Sequence, residues 1–535
     1  MREDIGVHGR QAVAAPLVAA VSRFTGRLAR PVNRTELAVM PSLMNSLRRS
    51  RTLAVSALLL SAGLACAVIR PPATDQSGQA DGREWLAGDH HIHSEFSAGY
   101  ALPAPGSTEA PAPILGADGR YAITMNATRA REHGLRWMVS TDHGGPAHSR
   151  LNFEQAYPAL LESRQAVPDV IQFYGMEFDT PGADHSSMIM PNTPAERQTL
   201  RDIESRYSKR DAYPSDPSRD TEPRMLEALT YMRALEAPPV VIANHPSRSA
   251  RGVGRYGQDA PQELRDWNDT APMVAIGMEG APGHQASALN RDGSIDSTGA
   301  RGGYSNSPTL GGFDQMTAVL GGFWDSMLGE GRKWYITSTS DSHRHYTEGG
   351  SDFWPGEYSK TYVRARASHA DILDGLRNGR VFVTTGDLIS ELDVTVRRVG
   401  SRAAAAIGGT VVLTGTQDLD VTIRVRDPLA PNHRGETPSV IRVDLIMGEV
   451  LGRSSDRTLD RNPTTRVIQR FTPNHWTVEG EYLVMSHTVR GVARDSYLRV
   501  RGTNTNELEP LPDARGEDPW QDLWFYANPI FITVR

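Results

Sequence analysis

Between Trp85 and about Asp387, short apolar runs alternate with stretches of helical spacing, and this alternation restricts the fold more than any other feature of the chain. WLAGDHHIH, LRWMVSTDH, VIQFYGMEF, HSSMIMP, PVVIANHP, MVAIGMEG and WYITSTSDSH read as strands. NATRAREHG, NFEQAYPALLESR, PRMLEALTYMRALE and FDQMTAVLGGFWDSML lie between them and carry the spacing of helices. Such alternation predicts a parallel sheet, and about seven units are enough to close it, or nearly close it, into a barrel. From about Leu388 the period changes to two. ELDVTVRRV, LDVTIRVRD, VIRVDLIMG, GEYLVMSHTV, DSYLRVRGT and NPIFITVR predict an antiparallel β-sandwich. The expected class is therefore α/β, with a barrel over 85–387 and a C-terminal sandwich over 388–535.

The start of the chain reads differently. MNSLRRSRTLAVSALLLSAGLACAV has a basic beginning (Arg48, Arg49, Arg51), an apolar run from Leu53 to Leu64 and the small residues Ala65 and Ala67 around Cys66. This predicts a signal peptide cleaved after Ala67, with Met44 as initiator, 1–43 as an upstream extension and 68–84 as a linker. Ser56, Ser61 and Gly63 interrupt the apolar run, which makes it short for a membrane anchor. Gly63 stands where a lipoprotein signal has leucine. The expectation is a periplasmic or secreted protein with no stable membrane insertion after cleavage.

Two consequences follow. Cys66 is the only cysteine and falls in the signal, so any metal site in the mature body must use His, Asp and Glu. Removing the nine arginines and three acids of the leader leaves 48 basic and 60 acidic residues, a net charge of −12. Such a body is a poor binder of duplex nucleic acid or anionic membrane. The oligomeric state is not legible.

Twelve of the sixteen histidines lie in the barrel segment, mostly at or just past strand ends. In a β/α barrel those ends converge on one rim, which carries the chemistry. His91 and His93 share one face of a strand, and His143, Glu177, His185, His245, Asp341 and His343 should meet them in one bowl. One such histidine is most simply a hydrogen-bonded core residue. Eight such groups at successive strand ends point to metal binding.

Asp89-x-His91-x-His93, Thr141-Asp142-His143, Gly175-x-Glu177, His185, His245-Pro246 and Ser340-Asp341-x-His343 together resemble the successive motifs of the PHP (polymerase and histidinol phosphatase) superfamily. The resemblance spans about 85–385, and the two-part layout is similar to secreted PHP phosphodiesterases and to the carbaryl-hydrolase-like branch. It implies a distorted (β/α)7 barrel holding two or three divalent ions. Carried over, His91, His93, Glu177 and Asp341 hold the first ion. Glu177 bridges to a second, held also by His185 and His245. A carboxylate with two oxygens can span such a pair. His143 and His343 match ligands of a third. This chain departs from the pattern at Ala98, which supplies no ligand to the third ion, so Glu95 or His148 could substitute. His143, His343 and Asp341 are then the expected catalytic groups. Histidine and carboxylate donors fit manganese, iron or zinc.

A hydroxide shared by two metals attacks phosphate esters, and also carbamates, esters and amides. ANHPSRSARGVGRYG places Arg248, Arg251 and Arg255 just after His245, and Arg344 and His345 adjoin Asp341 and His343. Guanidinium groups pair bidentately with phosphate oxygens. They make a small anionic phosphodiester the expected substrate, with carbamate, ester or amide hydrolysis as the alternative and a non-catalytic binding module as the third reading. Glu279 and His284 could line the pocket, and GYSNSPTLGG reads as a flexible rim loop.

Overall fold

The computed structural model describes residues 82–102, 106–304 and 306–535, so the leader, the Ala67 cleavage site and linker residues 68–81 lie outside the described residues. No helix among the described residues is long and apolar enough to cross a membrane. The first seven strands of the sheet are β1 (Glu84–Asp89), β2 (Trp137–Ser140), β3 (Ile171–Asp179), β4 (His185–Ile189), β5 (Val240–Ala243), β6 (Ala275–Ala281) and β7 (Tyr335–Ser338), adjacent in that order. β1–β2–β3 are parallel, as are β5–β6–β7. β4 runs antiparallel to both its neighbours, where a wholly parallel order was expected. Only five residues, 180–184, join it to β3, too few for a crossover.

The row comes round on itself. Past the end of β1, Ile92 bridges in parallel to Ser342, just past β7, and His93 N–H donates to the Ser342 carbonyl at 3.0 Å. Helices α1 (Ile123–Glu132), α2 (Tyr157–Ala166), α3 (Glu196–Tyr207), α4 (Glu222–Arg233), α5 (Pro261–Thr270) and α6 (Phe323–Gly329) fall between the strands. Ile123, Leu160, Leu200, Leu229, Trp267 and Phe323 from these helices share one core with Trp137, Val139, Phe173, Val241 and Ile336 of the strands. Strands covered on both faces must be apolar throughout, and β2 and β5 are buried at every residue. Gly88 is required by this packing, because a Cβ there would lie 1.9 Å from the Trp137 ring.

β8 (Ser359–Ala365) lies antiparallel on the other side of β1, and β9 (Val381–Thr385) pairs with β8 after helix α7 (His369–Arg377). The C-terminal part contains β10 (Glu391–Arg398), β11 (Gln417–Arg426), β12 (Arg442–Glu449), β13 (Tyr482–Val492), β14 (Ser496–Thr503), β15 (Trp524–Ala527) and β16 (Ile530–Val534). β10, β11 and β13 form one antiparallel sheet, in which Leu392, Val394 and Val396 alternate inward with Val421, Ile423 and Val425. Across a shared core these meet Val443, Leu445, Leu498, Val500, Phe525 and Ile532 from β12, β14, β15 and β16. That second layer is not separate from the first seven strands, for β15 pairs with β9 in the register Phe382↔Ala527, Val383↔Tyr526 and Thr384↔Phe525. The segments on either side of residue 387 share one sheet. The molecule is thus a mixed α/β structure.

Candidate metal centre

The Asp89 side chain ends β1 by accepting the N–H groups of His91 at 3.0 Å and Ser340 at 3.1 Å. The Thr141 hydroxyl then bonds both the N–H and the carbonyl of Ile92, at 2.8 and 3.1 Å, where a neighbouring strand would otherwise stand. Ile92 is buried in the core, and His91 and His93 flank it, fully buried, with ring centres 4.9 Å apart.

Glu177, near the end of β3, is the meeting point. Its Oε1 lies 3.1 Å from His91 Nε2, 3.0 Å from His185 Nδ1 and 3.1 Å from His245 Nε2. Its Oε2 lies 3.6 Å from the Nε2 atoms of His93 and His143. Asp341 Oδ1 is 3.1 Å from the Nε2 atoms of both His91 and His93. Donors bound to one ion at about 2.1 Å stand about 3.0–3.4 Å apart, so most of these spacings suit ligation. Five groups among the described residues are tight enough to hold a cation, and three of them consist wholly of expected ligands: His91, His93 and Glu177; Glu177, His185 and His245; and His93, His143 and His343. All eight expected ligands come together in this cluster.

A second layer of groups fixes which nitrogen of His91, His93 and His185 faces inward. Glu279 stands 2.7 Å from His91 Nδ1, and Asp179 stands 3.4 Å from His185 Nε2. Ser97 Oγ bonds His93 Nδ1 at 2.8 Å and donates to Asp142 at 2.9 Å. Asn244 Nδ2 donates to Glu177 Oε1 at 3.0 Å. Carboxylates behind imidazoles orient metal-binding rings in this way. The backbone is bent to the same end: His245, His284 and Asp341 take φ of 31°, 54° and 46°. Non-glycine residues held there carry a cost on the order of 1–3 kcal/mol each, which the surrounding structure must impose.

The donor set fits divalent cations. His93 Nε2, His185 Nδ1 and Asp341 Oδ1 are buried without a hydrogen-bond partner. An unsatisfied buried polar atom costs roughly 1–3 kcal/mol, and a cation would remove that cost. Burial pushes the Glu177 carboxyl upward, but His185 and His91 outweigh it and hold the group well below the usual carboxylate range. Asp341 is held down in the same way by His284 and His91 against burial. Burial, with Arg248 beside it, pushes the His245 imidazole below its ordinary value, towards the neutral form that ligates.

Other expected residues are placed less centrally. Arg248 Nη2 donates to Asp184 Oδ1 at 3.3 Å, and Asp184 Oδ2 lies 3.7 Å from His245 Nδ1, so this arginine belongs to the bowl. Arg251 and Arg255 are exposed and line an open depression with Ser249, Tyr256, Gly257 and Gln258, none of them a candidate ligand. The Arg344 backbone N–H donates to Asp352. The ring nitrogens of His345 are engaged by Thr347 at 2.7 Å and Glu357 at 3.0 Å, and the ring stacks on Trp354. His148 is committed to Glu204 at 2.6 Å and the Phe96 carbonyl at 3.0 Å. None of the candidate cation groups among the described residues includes Glu95 or His148.

Three contributors carry little sequence signal. His284 Nε2 lies 3.0 Å from Asp341 Oδ2, and its Nδ1 lies 2.5 Å from Asp352. Asp352 also accepts the N–H groups of His343 and Arg344, at 2.7 and 2.8 Å. Asp118 Oδ2 is 3.1 Å from His143 Nε2. Asp118 and Asp352 stand in loops without a motif, while His284 was visible only as a residue past a strand end. The C-terminal end of the GYSNSPTLGG loop, which was read as flexible, is held by Asp513, which accepts from Gly311 N–H at 2.6 Å, Gly312 N–H at 2.9 Å and Thr309 Oγ1 at 2.6 Å.

No protein-family model matches this chain, and no curated protein matches it. Among solved structures it is similar to PsfC from Pseudomonas syringae PB-5123, at 14% identity over 55% of this chain and 87% of that one, with a TM-score of 0.28. A likeness at that level carries no argument about fold or activity.

Proposed function

We propose that this chain is a metal-dependent phosphoesterase of the PHP superfamily, its first seven strands forming the distorted barrel of that family, and that it hydrolyses small anionic phosphodiesters. One observation carries the reading: Glu177 offers its two oxygens to imidazoles of each of the three groups built from expected ligands, Oε1 to His91, His185 and His245 and Oε2 to His93 and His143. His91, His93, Glu177 and Asp341 would hold one divalent ion, and Glu177, His185 and His245 a second. Manganese, iron and zinc all suit nitrogen and oxygen donors. Bound there, such ions supply Lewis acidity and lower the pKa of water.

The chain's own groups do the rest. Asn244 and the carboxylates behind the rings hold the ligands in register, so no reorganisation is needed when substrate arrives. Arg248 would donate to a phosphate oxygen, since it lies beside His245 and its pairing with Asp184, at 3.3 Å, is through Nη2. Export through the leader belongs to this reading and rests on the sequence alone.

The alternative, hydrolysis of a neutral carbamate or ester, has one observation in its favour: Arg248 is already paired, and Arg251 and Arg255 line a depression without candidate ligands. Metal-loaded protein offered bis(p-nitrophenyl) phosphate and a naphthyl carbamate separates the two. Arg248→Ala should lower kcat/KM for the diester roughly 10- to 150-fold, the loss of one charge-assisted hydrogen bond of about 1.5–3 kcal/mol, and leave the carbamate unaffected. Equal effects on both substrates, with metal content unchanged, would move the carbamate reading ahead.

A further inference from the structure

Ala98 offers no ligand atom, yet a carboxylate stands beside His143 and His343. Asp118 Oδ2 lies 3.1 Å from His143 Nε2 and 3.7 Å from His343 Nε2. We infer that Asp118, from a loop remote in sequence from Ala98, completes a third divalent-cation position with His143 and His343 at the mouth of the bowl. The inference rests on the metal-centre reading of the cluster, but not on any substrate.

The loop is built to put Asp118 there. Gly116 N–H donates to the Glu95 carbonyl at 2.9 Å, Gly119 N–H to the Ser97 carbonyl at 3.2 Å, and Arg120 N–H to the carbonyl of His343 itself at 3.1 Å. A Cβ on Gly119 would lie 2.2 Å from the Ser94 carbonyl oxygen, so the loop sits directly against the turn that follows His93. These bonds tie Asp118 to the same backbone that carries the imidazoles. An exposed carboxylate–histidine pair contributes about 0–1 kcal/mol and does not by itself account for such anchoring.

The position differs from the inner pair in access. His91, His93, Glu177, His245 and Asp341 are at most 2% exposed and the His185 side chain is 14% exposed, whereas the side chains of His143, His343 and Asp118 are 12%, 17% and 48% exposed, so the difference lies chiefly in Asp118. A third ion would therefore exchange more readily than the other two and meet an incoming anion first.

The test is stoichiometry. Metal-free full-length protein is titrated with manganese(II) by calorimetry, and bound metal is counted by elemental analysis before and after dialysis. Wild type should take up three equivalents, with the third weakest and lost on dialysis. Asp118→Asn should keep the two tight equivalents and weaken the third at least roughly 100-fold, since even groups that only support a ligand are worth 10- to 100-fold in affinity. Retention of the two tight ions also reports that the variant is folded. Wild type binding only two equivalents at saturation, or a third with undiminished affinity in Asp118→Asn, would overturn the inference. A substrate preference for the carbamate would instead count against the phosphodiester reading and leave the ion count standing.

Discussion

At the scale of single residues, Glu177 links the groups that would hold the two inner ions. Both its oxygens face imidazole nitrogens, and it is buried to 2% exposure, so no water can replace it without opening the cluster. Glu177→Ala should abolish both inner ions, with bound metal falling from at least two equivalents to below one in elemental analysis. Two ions still bound to that variant would remove the bridge from the argument. The eight candidate ligands were legible because metal-binding types recur at strand ends, where backbone geometry brings them together whatever lies between. Asp118 and Asp352 were not legible, and His284 was legible only as a residue that could line the pocket. Their contribution depends on loop paths, such as the left-handed turn at His284, that no periodicity encodes. Arg251, Arg255 and His345 show the converse: adjacency to a ligand in sequence does not fix direction, and one turn of loop carries a side chain into a different depression or stack.

At the scale of elements, the strands were legible from their apolar runs, but the direction of β4 was not, because it depends on the length of the 180–184 connection and not on side-chain pattern. How loops are locked to helices is also a matter of single buried contacts. His148 joins α3, through Glu204, to the carbonyl of Phe96 in the turn after His93. Burial alone lowers the pKa of this imidazole, and the charge and hydrogen bond of Glu204 more than reverse that, raising it to about 9. The folded chain therefore holds this proton more tightly than the unfolded chain does. The linked stability is fully present below about pH 6.5, the unfolded value, and is lost as pH rises through about 9. Its size is on the order of 3 kcal/mol. Urea unfolding of wild type and His148→Gln at pH 6.5 and 9.5 should show the stability gap between them closing at the higher pH. A gap that does not change with pH would mean that His148 is held neutral.

At the scale of the whole molecule, the change of period near residue 388 marks a real change of architecture, from alternating strands and helices to alternating inward residues. It does not mark a place where the chain can be cut. A fragment ending at residue 387 would leave Phe382, Val383 and Thr384 of β9 without their β15 partners. It would also deprive β7 of Asn528, whose side-chain amide bonds the N–H and carbonyl of Ile336 at 2.9 and 3.1 Å. An exposed strand edge flanked by apolar faces associates with other edges. The fragment is expected to be insoluble or aggregated by light scattering. A soluble, monomeric fragment that binds metal would refute the structural dependence.

The pairing of β9 with β15 has a further consequence for the growing polypeptide. Synthesis proceeds from the N-terminus, so every candidate metal-binding side chain has emerged well before Trp524, yet the sheet that supports them is incomplete until β15 arrives. Such long-range pairing is slow and leaves the waiting edge exposed. The nascent chain would carry a bare edge at β9 throughout the elongation from β9 to β15, a period in which a chaperone that shields that edge would do more for yield than added metal.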